Sequence, residues 1–162
     1  MADAKRGACI RVGVVLGLCA ALVACSGKQQ EVLNEREYAQ YRSRGTAVVE
    51  GQVTHTLSNG QTLYGSACQV RLTPITTQST RYMNEVVMQG GTKPWPSTAD
   101  AIWWLEQADQ QGRFRFSEVP AGSYYLTCPV VWREPGGATR ERILWAETTV
   151  GPGDRVEVAV SR

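Results

Sequence analysis

Histidine is nearly absent from this chain: His55 is the single one in 162 residues. Most sites that rely on imidazole as a general base or metal ligand are thereby excluded. No G-x-S-x-G nucleophile turn and no glycine loop of the phosphate-cradling type occurs. The carboxylates Glu85, Asp100, Glu106 and Asp109 fall in or beside turns and helix caps, where solvated acids are ordinary, so acid–base catalysis gains no support from them. Neither sign of charge is in large excess. With 17 Lys+Arg against 15 Asp+Glu the formal charge is +2, which leaves no acidic tail and no basic footprint for nucleic acid. There is no internal repeat. An apolar run of the roughly 20 residues needed to span a bilayer is missing too. We read the chain as a non-enzyme that takes no cofactor and no metal.

What is present begins at the N-terminus. Lys5, Arg6 and Arg11 surround the start of "VGVVLGLCAALV" (12–23), and "SGKQQE" follows almost at once. A basic stretch, a short apolar run and an abrupt return to polar chain make a secretory leader, and the run is too short for a stable spanning helix. Its end, Leu22-Val23-Ala24-Cys25, resembles the bacterial lipobox. The resemblance implies diacylglycerol on the Cys25 sulfur, cleavage after Ala24 and acylation of the new amine. Two or more chains make such an attachment stable where a single chain does not. Ser26 after the cysteine favours the outer over the inner membrane by resemblance to enterobacterial sorting rules. The expected organisation is therefore a leader over 1–24, a lipidated N-terminus and flexible tether over 25–45, and one domain over 46–162. Loss of the leader removes Lys5, Arg6, Arg11 and Asp3, leaving 14 charges of each sign.

The five cysteines then separate by position. Cys9 and Cys19 leave with the leader and Cys25 carries lipid. Cys68 and Cys128 remain in an exported domain, where the oxidising compartment favours a disulfide. In "ACQVRLTP" Cys68, Val70 and Leu72 share a face, and in "YYLTCPVVW" Tyr124, Leu126 and Cys128 do. Both cysteines thus belong to apolar faces turned toward one core. Two thiols with His55 as the lone histidine make a poor metal site.

Along the mature chain, "SGKQQEVLNEREYAQYRSRG" (26–45) is polar and reads as the tether, with a short helical turn in "EVLNEREYAQY". As flexible chain it spans about 25 Å. From Thr46 the apolar period becomes two. "TAVVEGQVTHTL" is a first strand in which Gly51 marks a bulge or a close approach. "SNG" (58–60) is a turn signal, and "GSACQVRLTP" is a strand that stops at Pro74. "STRYMNEVVMQGG" is a short helix capped by Ser79 or Thr80 and ended at Gly90 and Gly91. "TKPWPS" is loop. "AIWWLE" carries both helix and strand signals; its aromatic content and the following "ADQQGRFRF" favour a hairpin. Strands over "SYYLTCPVVW", "RILWAETTV" and "RVEVAVSR" complete the chain, separated by "EPGGATRE" and "GPGD". About seven strands with turn residues between them predict an all-β sandwich with a helical or irregular insertion around 76–100.

One run makes the expectation sharper. "ADQQGRFRFSEVPAGSYYLTC" resembles the signature of carboxypeptidase regulatory-like domains through Asp109, Gly112, Phe114, Phe116, Val119, Pro120, Ala121, Gly122, Tyr124 and Leu126. "VEGQVT" with "CQVRLTPIT" is similar to that family's opening strands, and "VGPGDRVEVAV" to its closing one. The resemblance covers most of 47–160 and implies a transthyretin-like (prealbumin-like) β-sandwich. The segment 75–108 departs from it. Hydrolases of the transthyretin-like fold that open 5-hydroxyisourate use several histidines, an arginine and a C-terminal Tyr-Arg-Gly-Ser, whereas this chain has His55 and ends "VAVSR".

These features predict a membrane-anchored envelope lipoprotein whose sandwich is an accessory or interaction module with a protein or glycan partner. Five tryptophans are many for this length, and aromatics are favoured at recognition surfaces. Trp95, Trp103 and Trp104 are the candidate ligand contacts, with glycan stacking as the chemistry. Against this, the same residues suffice to shield the 75–108 insertion from solvent. A structural role in a secretion-type envelope complex is the further alternative, by analogy with the transthyretin-like outer-membrane lipoprotein of type VI secretion.

Overall fold

Alternation of apolar and polar residues builds two sheets that face each other. The computed structural model describes residues 35–96, 102–134 and 136–161. Eight strands are present among them, β1 (Ala47–Thr56), β2 (Thr62–Tyr64), β3 (Gln69–Pro74), β4 (Trp104–Gln107), β5 (Arg113–Val119), β6 (Gly122–Arg133), β7 (Thr139–Val150) and β8 (Arg155–Val160). In the first sheet β1 is central, antiparallel to β2 and β5 and parallel to β8. The second sheet runs β4-β3-β6-β7, all antiparallel. The fold is the β-sandwich expected from the period-two pattern.

Val49, Val53, Phe114, Phe116, Val158 and Val160 enter the core from the first sheet. Val70, Leu72, Tyr124, Leu126, Cys128 and Leu144 enter it from the second. Gly51 lies in the inward row of β1, where a Cβ would come within 1.9 Å of the Val158 carbonyl oxygen. It marks a close approach between strands; the irregularity in β1 falls instead between Ala47 and Val49. Tyr124 is fully buried and donates its hydroxyl to the Pro120 carbonyl at 2.6 Å, pinning the "VPAG" turn to the strand that follows.

Cys68 and Cys128 form the expected disulfide, with Cα atoms 6.2 Å apart. Cys68 precedes β3 and Cys128 lies in β6, the strand that pairs with it. The bridge therefore reinforces a ladder that hydrogen bonds already hold.

Three local expectations are corrected. First, the helix over the insertion begins earlier than Ser79 or Thr80. It is α2, Thr77–Tyr82, continued by a π-helical turn over Met83–Val87. Thr76 is its cap: the Thr76 hydroxyl accepts from the Ser79 amide while the Ser79 hydroxyl accepts from the Thr76 amide. Such a reciprocal box needs a side chain at the third helical position that reaches back, and Ser79 supplies it here. Second, "AIWWLE" supplies a strand, β4, but no hairpin. β4 pairs with β3, and the turn at Asp109–Gly112 carries the chain across to β5 in the other sheet. Third, the last part of the expected tether is folded. α1 (Glu35–Tyr38) and a 3₁₀ turn (Ala39–Tyr41) bury Tyr38 and Tyr41 against the domain. The Tyr38 hydroxyl lies 3.1 Å from that of Thr76, and Glu37 accepts from the Thr77 amide at 2.6 Å. The leader, Cys25 and the remainder of the tether lie outside the described residues.

Candidate ligand-binding surface

Arg71 organises the outer face of the second sheet. Val70 and Leu72 point into the core, so alternation turns Arg71 outward. It sits opposite Leu105 of β4 and Thr127 of β6. α2 covers part of this face: Tyr82, Met83 and Val87 pack with Tyr125, and Ile143, Trp145 and Trp95 border them. The ring of Tyr82 lies 4.1 Å from that of Trp95, and its hydroxyl donates to the Lys93 carbonyl at 2.6 Å. Through these two contacts the helix holds the 92–96 loop in place beside Arg71.

The guanidinium carbon of Arg71 is 5.0 Å from the Trp103 ring centre and 5.8 Å from that of Trp95. Both distances are within the range of cation–π attraction. Burial lowers the Arg71 pKa, and the neighbouring Tyr82 acts in the opposite sense. Burial likewise raises the Tyr82 pKa. Arginine remains a cation at neutral pH despite such a shift. Beside these groups lies a groove of about 210 Å³, lined among others by Arg71, Tyr82, Lys93, Trp95, Leu105 and Ile143.

Of the candidate aromatics, Trp95 and Trp103 thus meet on Arg71, each half-buried. Trp104 goes elsewhere: it opens β4, packs on the main core and stands edge-on to Tyr124 at 5.9 Å. Successive strand positions face opposite ways, so adjacent tryptophans divide between the core and the surface. Trp103 and Trp104 also line a wider depression of about 550 Å³ with Tyr41, Arg44 and Glu118. There Arg44 is paired with Glu118 at 3.1 Å.

His55 lies apart from this surface. It packs at 4.8 Å on Trp132 in a cleft of about 520 Å³ that includes Glu134 and Arg142. Burial, then the charge of Arg142, lowers its pKa, so the ring is neutral at pH 7. Among the described residues no group of three or more His, Cys, Asp or Glu is placed to hold a metal ion.

Sequence reasoning missed Arg71, Tyr82 and Lys93. "QVRLT" marks Arg71 only as an outward-facing strand residue, and nothing local distinguishes it from a solvated arginine. The one available signal was Trp95 between two prolines in "KPWP", an aromatic in a loop with restricted backbone.

No family profile matches the chain, and no curated protein sequence is similar to it. Among solved structures, the fold is similar to a candidate carbohydrate binding protein from Pseudomonas aeruginosa. That protein is 24% identical, with a TM-score of 0.67 over 80% of this chain and 97% of its own. The major pilin subunit of Bacillus cereus is 13% identical with a TM-score of 0.43, over 72% of this chain and 30% of that one. The minor pilin of Streptococcus agalactiae is 13% identical with a TM-score of 0.40, over 73% of this chain and 44% of that one. The first of these likenesses is one of fold.

Proposed function

We propose that this protein is a lipid-anchored, non-catalytic module of the bacterial envelope whose β-sandwich binds a glycan. The observation that carries the reading is the convergence of Trp95 and Trp103 on Arg71 at the mouth of a groove. A flat indole packs against the C–H face of a sugar ring, while an arginine supplies in-plane N–H donors to its oxygens. Carbohydrate binding ascribed to the Pseudomonas aeruginosa protein supports the same reading. The anchor is Cys25, and Ser26 favours the outer membrane as the address. The carboxypeptidase regulatory-like resemblance suits such a role, because it implies a fold without a catalytic domain.

The test is binding of the full chain, purified in detergent, to peptidoglycan and to a panel of polysaccharides. Trp95→Ala and Trp103→Ala should each weaken binding roughly tenfold, the usual effect of truncating an aromatic anchor. Equal retention by wild type and the double variant overturns the glycan reading. The anchor is checked separately: Cys25→Ser should move the protein from the membrane fraction to the soluble one, and a variant that stays membrane-bound refutes lipidation there.

A further inference from the structure

Arg71 differs from the ion-paired arginines elsewhere in the domain. Arg42, Arg44, Arg115, Arg140 and Arg155 each contact a carboxylate at 3.1 Å or less. Arg71 is more deeply placed than these, yet among the described residues no carboxylate pairs with it; its neighbours are two indoles and Tyr82. Every described residue lining the adjoining groove is neutral or basic, and Lys93 adds a second cation there. A cation withdrawn from water without a counter-charge is costly, and the cost is recovered when an anion arrives. The groove is therefore prepared for negative charge as well as for a sugar ring.

We propose that the groove beside Trp95 is a subsite for an acidic sugar, whose carboxylate is held by the Arg71 guanidinium with Lys93 beside it. This rests on the glycan-binding reading and narrows it to uronate-bearing polysaccharide. A planar carboxylate matches the fork of a guanidinium and accepts two parallel N–H bonds. The groove's 210 Å³ or so is below the roughly 300–1,000 Å³ of pockets that enclose a whole ligand. It therefore takes one residue of a chain whose neighbours lie along the surface over Trp103.

The experiment is calorimetric titration of the full chain in detergent with an oligogalacturonide and with its carboxyl-reduced, neutral counterpart. Wild type should prefer the acidic form by about 10- to 100-fold, the range for a charge-assisted hydrogen-bonded pair. Arg71→Gln should bring the ratio to about one, and Lys93→Gln should reduce it by a smaller factor. Circular dichroism confirms that each variant is folded, and Lys93→Gln, at an exposed position, tests the charge preference should Arg71→Gln unfold. Equal affinity of wild type for the two oligomers overturns the acidic subsite while leaving glycan binding intact. Binding of neither oligomer or any polysaccharide overturns both readings. Arg71-dependent binding to vesicles containing phosphatidylglycerol, without binding to the uronide, overturns the subsite in favour of a lipid headgroup.

Discussion

Glu50 shows what a single outward-facing residue does in this sandwich. It stands in the middle of β1, and Arg115 of β5 and Arg155 of β8 reach it from the two flanking strands at 2.9 and 2.8 Å. The hydrogen bond from Arg155 is the main influence holding its pKa below 4.5, with the charges of both arginines adding to it. Because the folded-state pKa lies below the unfolded one, the cluster stabilises the fold above the ordinary carboxylate range. That contribution is lost as pH falls through the depressed value. Glu50→Gln should therefore lower the thermal midpoint at pH 7, with the gap to wild type closing as the pH is taken below 4.5. A gap that is constant from pH 7 to pH 3 would disprove the linkage. The alternation of "RFRF" already turned Arg115 outward, but its partner on another strand was not legible. The same holds for Arg71, whose surroundings come from β4, α2 and a loop.

At the scale of elements, the segment before β1 is the main surprise. "EREYAQYRS" has too few apolar residues to show an amphipathic stripe, so it reads as tether. Two buried tyrosines seat it, together with Glu37, which accepts from the Thr77 amide and hydroxyl. Tyr41 lies edge-on to Tyr124 at 5.4 Å, and Gly122 leaves the room it needs, since a Cβ there would come within 2.5 Å of the Tyr41 ring. Tyr41→Ala should cost about 3 kcal/mol, as for other buried large-to-small changes, measured as a lower urea midpoint. Faster proteolysis within 35–45 should accompany it. Cost and cleavage both unchanged would mean that the segment contributes nothing to the domain. α2 was half legible for a related reason. Its body follows from "STRYMNEVV", but the capping box pairs Thr76 with Ser79, and two neighbouring Ser/Thr residues offered equally good local caps. β4 was identified as strand-forming and then paired with the wrong neighbour. Sequence proximity to β5 suggested a hairpin, whereas the edge of β3 was the open hydrogen-bonding partner.

For the whole molecule, the disulfide closes a loop of 60 residues. It spans β3, the insertion, β4, β5 and the first half of β6. In the chain-entropy view such a closure stabilises by about 4 kcal/mol, a large share of the roughly 5–15 kcal/mol typical of a domain. Reduction, or replacement of Cys68 and Cys128 together by Ala, should shift the denaturation midpoint accordingly. A midpoint unchanged by reductant would show that the bridge is energetically idle. β1 and β8, near the two ends of the domain, lie side by side in parallel.

The sequence by itself determined the local properties: which runs are strands, which residues of each strand face inward, and that Cys68 and Cys128 belong on the core side. These follow from nearest-neighbour chemistry and a period of two, which need no knowledge of the rest of the chain. The anchor proposed at Cys25 rests on sequence alone. Only the tertiary structure decided which edge β4 joins, that the 35–45 segment is folded, and that Arg71, Tyr82, Trp95 and Trp103 share one surface. Those four are spread over residues 71–103, and each is unremarkable in its own window. Their common environment arises from a helix laid over a sheet, a contact between elements that no local pattern encodes.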